Sequence, residues 1–372
     1  MNKLNIKEVH TKKDLRDFIY LPEKVHKNNK NWLPPLYIDE WNFFNPEKNK
    51  SFQQADTVMY IAYRGNIPVG RIMGIIHRLY NKIHNEDYGR FSFMECYEDQ
   101  EIAHALLQKV EEWAKEKGMV KLIGPLGFSD KDPQGFQIEG FEYPQFIASP
   151  NNEPYLPEMV EKEGYIKKID LVNYFVQMPE KLPEVYNRIS RIKKNTSFSL
   201  VEFKSKKELK PYVVPALEVM NQTYMDIYGY VPLDDEEKKE LAARYFPILD
   251  PHFVKMVEYN NEVVAFMVGI PDPSAGIIKA KGRLLPFGFF HILKESKNSK
   301  SLLMLLGAIK KEFREQGLDV MMITKMYESA IRYKMQTVNS HLILETNKRT
   351  RHEFERVGGK VSKVFRIYQK DI

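Results

Sequence analysis

The spacing of apolar positions divides the chain into two runs of elements in the same order. Residues 57–76, TVMYIAYRGNIPVGRIMGII, read as a β-hairpin, because two β-rich runs flank the turn-forming trio Arg64-Gly65-Asn66. Residues 91–97 predict a third strand. Ala103, Leu106, Leu107, Val110, Trp113 and Ala114 then recur at helical spacing on one face, and Gly118 is placed to end that helix. A short strand over 120–123, a Gly- and Pro-punctuated stretch over 124–154, a short helix over 156–163 ending at Gly164, and a strand over 171–178 complete the run. Pro179 and Pro183 mark a boundary, after which the order restarts. The second run has helical pattern over 211–228, a hairpin over 253–270 around Asn260-Asn261 and a buried strand over 301–309. A helix over 318–334 follows, with Val320, Ile323, Tyr327, Ala330 and Ile331 on one face. A strand around 342–344, a helix over 349–357 stopped by Gly358-Gly359 and a strand over 363–369 close the chain.

The agreement of order is an internal repeat. Val69-Gly70 in the first hairpin matches Val264-Ala265 in the second, and Glu161…Gly164 matches Glu355…Gly358. The halves share their ends and differ in their middles. The fold class expected is α/β of the α+β kind: two tandem domains, 1–180 and 181–372, each a mixed, mostly antiparallel sheet flanked by helices.

Composition narrows this picture little. Of 372 residues 43% are hydrophobic and 12% aromatic, enough for packed cores and against wholesale disorder. One cysteine, Cys96, excludes an internal disulfide framework and a Cys-rich zinc site. No apolar run approaches the roughly 18 residues of a membrane span, and MNKLNIKEVHTKKDL lacks the apolar core of a secretory signal. The expectation is a soluble, cytoplasmic protein. A net charge of +6 permits an anionic partner without demanding one.

The segment most able to carry chemistry is the predicted strand ending Gly307-Ala308-Ile309, followed by Arg314-Glu315-Gln316-Gly317-Leu318-Asp319 at the start of a helix. A helix N-terminus presents unpaired N–H groups and the positive end of its dipole, so a tight loop before it can hold a pyrophosphate. Gly317 lets the backbone approach an anion closely, and Arg314 adds a charged donor. Helix starts of this kind are common, and the same residues also read as an ordinary turn.

In context the segment resembles the acyl-CoA-binding signature of the GNAT superfamily of N-acetyltransferases. That signature is Arg or Gln, two residues, Gly, one residue, then Gly or Ala, and Asp319 departs from it at the last place. Leu344-Glu345-Thr346-Asn347 before a helix resembles the family's next strand and the Asn that follows it. Asn31-Trp32-Leu33-Pro34-Pro35 and Asn45-Pro46-Glu47-Lys48-Asn49 look like a bacterial branch with the tandem architecture. The resemblance implies acetyl-CoA or another acyl-CoA as co-substrate, bound by Gly307, Ala308, Ile309, Arg314, Glu315, Gln316, Gly317, Leu318, Asp319 and Asn347. It implies direct attack of an amine on the thioester. The family's frequent acid, a Tyr seven places after the Asn, is Phe354 here. In the first half the loop is degenerate: Tyr97-Glu98-Asp99-Gln100-Glu101 has no Gly and three acids, which repel a phosphate.

Glu345 is a candidate general base, with a strand-end ion pair as the alternative. His341 and His352 are possible acid–base groups among nine scattered histidines. No metal spacing is present, so no metal site is expected. Phe128, Phe136, Phe141, Tyr143 and Phe146 in the 124–150 stretch either line an acceptor site or pack the loop. The basic residues Arg188, Arg191, Lys193, Lys194, Lys204, Lys206 and Lys207 lack an aromatic ladder, and nucleic acid is not expected as a partner. The function expected is acyl-CoA-dependent N-acyl transfer to a small amine acceptor. The alternatives are a tRNA-dependent aminoacyl transferase of the cell-wall bridge type and a non-catalytic CoA-binding or scaffold protein. Acceptor identity and oligomeric state stay open.

Overall fold

A computed structural model describes residues 3–147, 149–181 and 197–372; Arg188, Arg191, Lys193 and Lys194 lie outside them. The first half runs β1 (Leu4–Glu8), α1 (Lys12–Val25), α2 (Tyr37–Phe43), β2 (Ala55–Arg64), β3 (Ile67–His77), α3 (Arg78–His84) and β4 (Tyr88–Cys96). It continues through α4 (Gln100–Glu116), β5 (Lys121–Gly124), β6 (Phe136–Glu139), α5 (Tyr155–Lys162) and β7 (Ile166–Gln177). The second half contains β8 (Phe198–Glu202), α6 (Val213–Thr223), α7 (Asp235–Tyr245), β9 (Val254–Tyr259), β10 (Glu262–Pro271), α8 (Ser274–Lys279) and α9 (Gly288–Asn298). It ends with β11 (Ser301–Ile309), α10 (Leu318–Arg332), β12 (Thr337–Ser340), β13 (Ile343–Leu344), α11 (Lys348–Arg356) and β14 (Lys360–Asp371).

The expected hairpins form for local reasons. Gly65 adopts φ 62° between β2 and β3, and Asn260 and Asn261 adopt φ 51° and 63° between β9 and β10, the left-handed pair of a two-residue hairpin turn. In α4 the predicted stripe is buried on the sheet, and Asp99 caps the helix by accepting the Glu101 N–H. The apolar pattern did not mark α1, which carries Pro22 inside it but is fixed by a Thr11–Asp14 capping box. The strand expected around 342–344 is the two-residue β13, and β12 precedes it unmarked by the apolar pattern; both pair β7, while β12 alone also pairs β11.

The division of the sheet differs from the division of the chain. All strands join one sheet in the order β1-β2-β3-β4-β5-β14-β7-β12-β11-β10-β9-β8, with β6 beside β14 and β13 beside β7. The last strand of the second half, β14, lies between β5 and β7, while β7 pairs β12 and β13 of the second half. Each half lends its final strand to the middle. Ile123 of β5, Leu171 of β7, and Phe365 and Ile367 of β14 make one buried cluster across that seam. An ion network covers its edge: Arg366 pairs Asp170, and Lys167 bridges Asp170 and Glu345.

A second buried polar cluster pins α1 to the first half. His26 lies against Glu153 at 2.8 Å and Glu95 at 3.1 Å, stacked on Trp32. Burial alone would push the imidazole down, but the two carboxylates more than reverse this and raise it to about 9.

Two outcomes follow from this packing. Ile367→Ala removes a fully buried side chain at the seam and should cost about 2–5 kcal/mol. Because both halves share the seam, urea unfolding of the protein and of this variant, followed by fluorescence and circular dichroism, should show one coincident transition. Two separated transitions would contradict the shared seam. His26 titrates near its ordinary 6.5 when unfolded and near 9 when folded. Its stabilisation is therefore complete below pH 6.5 and lost as pH rises through 9. The gap in unfolding free energy between the protein and His26→Gln should narrow, on the order of 3 kcal/mol, between pH 6 and 9.5. A gap that holds constant across that range would overturn the charged assignment.

Candidate active site

The site begins where two parallel strands part. β11 and β12 pair only from Ser301 to Met304 against Thr337 to Ser340, and the His341 N–H donating to the Met304 carbonyl at 2.8 Å is the last bond between them. A register shift of β11 against β10 bulges the strand at Leu305, between Met304 and Leu306. Beyond it β13 follows β7 instead, so the outer half of β11 has no strand on that side. Its edge at Gly307 is met by a side chain: the Tyr224 hydroxyl donates to the Gly307 carbonyl at 3.0 Å and accepts its N–H at 3.4 Å. Burial pushes the Tyr224 phenol up to about 12.

The loop after β11 is wound tightly. Arg314 donates through Nε to the Ile309 carbonyl at 3.2 Å, Glu315 takes φ 64°, and Gly317 takes φ 78° as it opens α10. The N–H groups of Gly317, Leu318 and Asp319 stand at the positive end of that helix, without carbonyl partners inside it. Asp319 does not add a bare negative charge here. One carboxylate oxygen accepts the Val320 N–H at 2.9 Å, and the other meets Arg349 of α11 at 3.1 Å. Asn347 caps α11 by accepting the Thr350 N–H at 3.2 Å. These groups suit a polyphosphate: oriented amides, Arg314 and Arg349, with Asp319 already paired; two other acids near them, Asp226 and Glu353, are paired with Lys311 and Arg356.

The fork opens into a cavity of about 750 Å³. Met220, Met256 and Phe266 line it from the α6 side of the sheet, and Leu302, Met304 and Met326 from the α10 side. The apolar lining therefore draws on both faces of the sheet, around the gap between β11 and β13. Polar side chains are a minority of the lining. His341 sits at the parting of the strands, and Arg314, Asp319, Asn347 and Arg349 stand at the phosphate end. Gln134, 5% exposed, contributes a buried Oε1 with no partner, and Asp130 lies beside it.

The structure brings Gly307, Ala308, Ile309, Arg314, Asp319 and Asn347 to this lining. Glu315, Gln316, Gly317 and Leu318 form the adjoining loop. Glu345 is placed otherwise: Oε2 accepts Lys167 at 2.8 Å and Oε1 accepts the Asp170 N–H at 3.1 Å, and it is absent from the cavity wall. Phe354 lines the cavity and stacks on Tyr174, whose hydroxyl is held by Glu355 and Arg351. His352 is exposed and lies outside the lining. Of the loop aromatics, Phe128 and Phe136 pack into the first half and Phe146 into the second, while polar Asp130, Lys131 and Gln134 reach the cavity. Tyr224 and Gln134 were not legible as site residues, because only the tertiary fold carries them to the fork. Among the described residues no cluster of three His, Cys, Asp or Glu could hold a metal ion, and no helix is long and apolar enough to cross a membrane.

The first half has lost the corresponding features. Its fork, between β4 and β5, is filled by its own chain, with Leu126 N–H donating to the Phe91 carbonyl at 2.9 Å. At the N-terminus of α4, Asp99 and Glu101 are both paired with Arg64.

No family model matches the chain. Among curated proteins it is 28% identical to a bacterial ceramide synthase of Caulobacter vibrioides, covering 99% of this chain and 97% of that protein. It is 25% identical to the protein YghO of Escherichia coli, over 97% of this chain and 94% of that one. Among solved structures it is similar to a tandem GNAT protein from the clavulanic acid biosynthesis pathway, with a TM-score of 0.58 at 10% identity, over 99% and 98% of the two chains. A GCN5-related N-acetyltransferase from Sphaerobacter thermophilus gives a TM-score of 0.54 at 10% identity, over 99% and 95%. With the splayed strands, the bulge and the loop ahead of α10 in place, the fold of this chain is the tandem GNAT fold.

Proposed function

We propose that this chain is an acyl-CoA-dependent N-acyltransferase that joins a long acyl chain to the amine of a second long-chain molecule. The observation that carries the reading is the largely apolar cavity of about 750 Å³ at the splayed strands, lined from both faces of the sheet and beside a loop suited to a pyrophosphate. An acetyl group needs no such lining, whereas hydrocarbon tails would fill it. The full-length similarity to a protein named as a ceramide synthase supports an amine that is itself a lipid. The tRNA-dependent alternative finds less support, because an apolar lining offers nothing to a nucleotide.

The residues divide the work. The amides of Gly317 to Asp319, with Arg314 and Arg349, would hold the pyrophosphate, and Gly307 would offer the edge N–H and carbonyl that Tyr224 now satisfies. The donor supplies a thioester. Gln134 Oε1 accepts a hydrogen bond from the amine and orients it, and His341, at the fork, removes its proton as the nitrogen attacks the carbonyl carbon. The carbon–sulfur bond breaks, and the thiolate leaves with a proton. Tyr224, at the Gly307 edge with its phenol kept protonated, would supply one. Glu345 is assigned to the ion network at the seam, not to catalysis.

Binding should improve with chain length. Each added methylene is worth about 0.8 kcal/mol, roughly fourfold in Kd, so octanoyl-CoA should bind far more tightly than acetyl-CoA in calorimetry. Gly317→Glu should abolish binding of both. Equal affinity for the two donors would remove the long-chain reading, and no affinity for either would remove the acyltransferase. With a long-chain amine as acceptor, His341→Ala should lower kcat by about 10²–10⁴, leaving the Kd for acyl-CoA unchanged. An unchanged kcat would exclude His341 as the base.

A further inference from the structure

Between β10 and β11 the chain leaves the sheet as a two-helix arm, α8 and α9. Its inner side is tightly fitted. Gly276 lies so close to the α9 backbone that a Cβ there would come within 2.5 Å of the Ile292 Cα, and Gly282 is pressed onto the Pro35 carbonyl and Tyr37. Arg283 is anchored to Glu23 of α1. The arm is thus held in place, yet its outer side is apolar. Leu285 is 83% exposed, Phe287 68%, Phe290 65% and Phe289 50%, with Ile278 and Leu293 beside them. Every exposed Phe among the described residues is in this arm. Elsewhere exposed large apolar side chains are scattered, and such single residues need no explanation. Four rigidly presented aromatic and aliphatic side chains around one tip do.

The charge around the tip selects its partner. From residue 273 to residue 300 the segment holds Lys279, Lys281, Arg283, Lys294, Lys297 and Lys300 against the single acid Glu295. Lys279 is paired with Glu295 and Arg283 with Glu23, while Lys281, Lys294, Lys297 and Lys300 are exposed. An apolar tip on a basic arm fits the interface of an anionic bilayer, where the rings enter the acyl boundary and the ammonium groups meet lipid phosphates. A second copy of the chain fits poorly, because a two-fold contact through this tip would bring the same cations together.

We infer that the α8–α9 arm is a membrane-docking surface, with Leu285, Phe287 and Phe290 as the inserted side chains and Lys281, Lys294 and Lys297 as the electrostatic contacts. The inference goes beyond the acyltransferase reading and does not depend on it, although a bilayer is where a lipid amine would be found.

The test is flotation of the full-length protein with vesicles of phosphatidylcholine containing about one-third phosphatidylglycerol, compared with pure phosphatidylcholine and with about 0.5 M salt. Binding to the anionic vesicles is expected, weaker by at least about tenfold on neutral vesicles and at high salt. Phe287→Ser with Phe290→Ser, and separately Lys281→Glu with Lys294→Glu, should each lose about tenfold or more, with unchanged thermal unfolding. No binding of the protein to anionic vesicles would overturn the inference, as would full binding by the double Phe variant. A dimer in light scattering that the double Phe variant dissolves, without vesicle binding, would assign the tip to a second copy and overturn it as well. Octanoyl-CoA calorimetry on the same variants reads the acyl site separately: its failure in the unaltered protein falls on the acyltransferase reading and leaves the vesicle result standing.

Discussion

The exchange of β7 and β14 across the centre of the sheet is the constraint on which the rest depends. A β-strand's unpaired edge is costly to bury, and here both inner edges are covered by the partner half's last strand. Because β7 takes β12 and then β13 as its neighbours, β13 is drawn away from β11. The gap is thus a consequence of how the two halves are sewn together. The Asp170–Arg366 pair, both of whose side chains are largely buried, and the Glu345–Lys167 pair hold the sewn edge in register. A carboxylate such as Glu345 can stand at the end of the site's own strand and still serve that register alone.

Opening a sheet leaves peptide groups unpaired, and the molecule meets this by substitution. Tyr224 occupies the hydrogen-bonding positions of Gly307, and Arg314 takes the Ile309 carbonyl. Both are side chains, which can turn away when another partner arrives, whereas a paired strand could not. Methionines such as Met220, Met256, Met304 and Met326 are among the residues lining the cavity behind the fork, and their unbranched, polarisable side chains adapt to irregular hydrocarbon. The electrostatics of the mouth are equally local. Asp319 is neutralised by Arg349, so the positive field there comes from aimed amides and the Arg314 guanidinium, not from an overall charge of +6 spread over 372 residues.

Much of this was legible in the sequence, for identifiable reasons. Turn chemistry at Gly65 and Asn260-Asn261 is local, so both hairpins could be read, and helical spacing marked α4 and α10. The Arg314–Asp319 loop was legible because a glycine ahead of a helix has a backbone meaning of its own. Three things were not. The strand exchange is a long-range pairing that no local pattern encodes. Tyr224 and Gln134 act through positions reached only in three dimensions. The α8–α9 arm was not marked, because a sequence cannot say which side of a helix the fold leaves bare. Glu345 and His341 show the same limit in one place: four residues apart, one is paired at the seam and the other lines the cavity, and only where β12 ends and β13 begins tells them apart.

The degenerate half is not idle in this arrangement. Its fork is closed by the chain from Gly124 onward, with Gly124 seated against the Phe91 carbonyl and Leu126 bonded to it. Having filled one gap, the same loop continues to the other: Asp130 N–H donates to the Gly229 carbonyl, Lys131 reaches the Val231 carbonyl, and Gln134 enters the wall of the cavity. A loop that could not leave its own fork could not present Gln134 to the second one. At the matching place in the first half no glycine loop precedes α4, and Arg64 ties down Asp99 and Glu101 there. The sheet thus has two forks, one plugged by its own chain, and the loop that plugs it runs on to the wall of the cavity at the other.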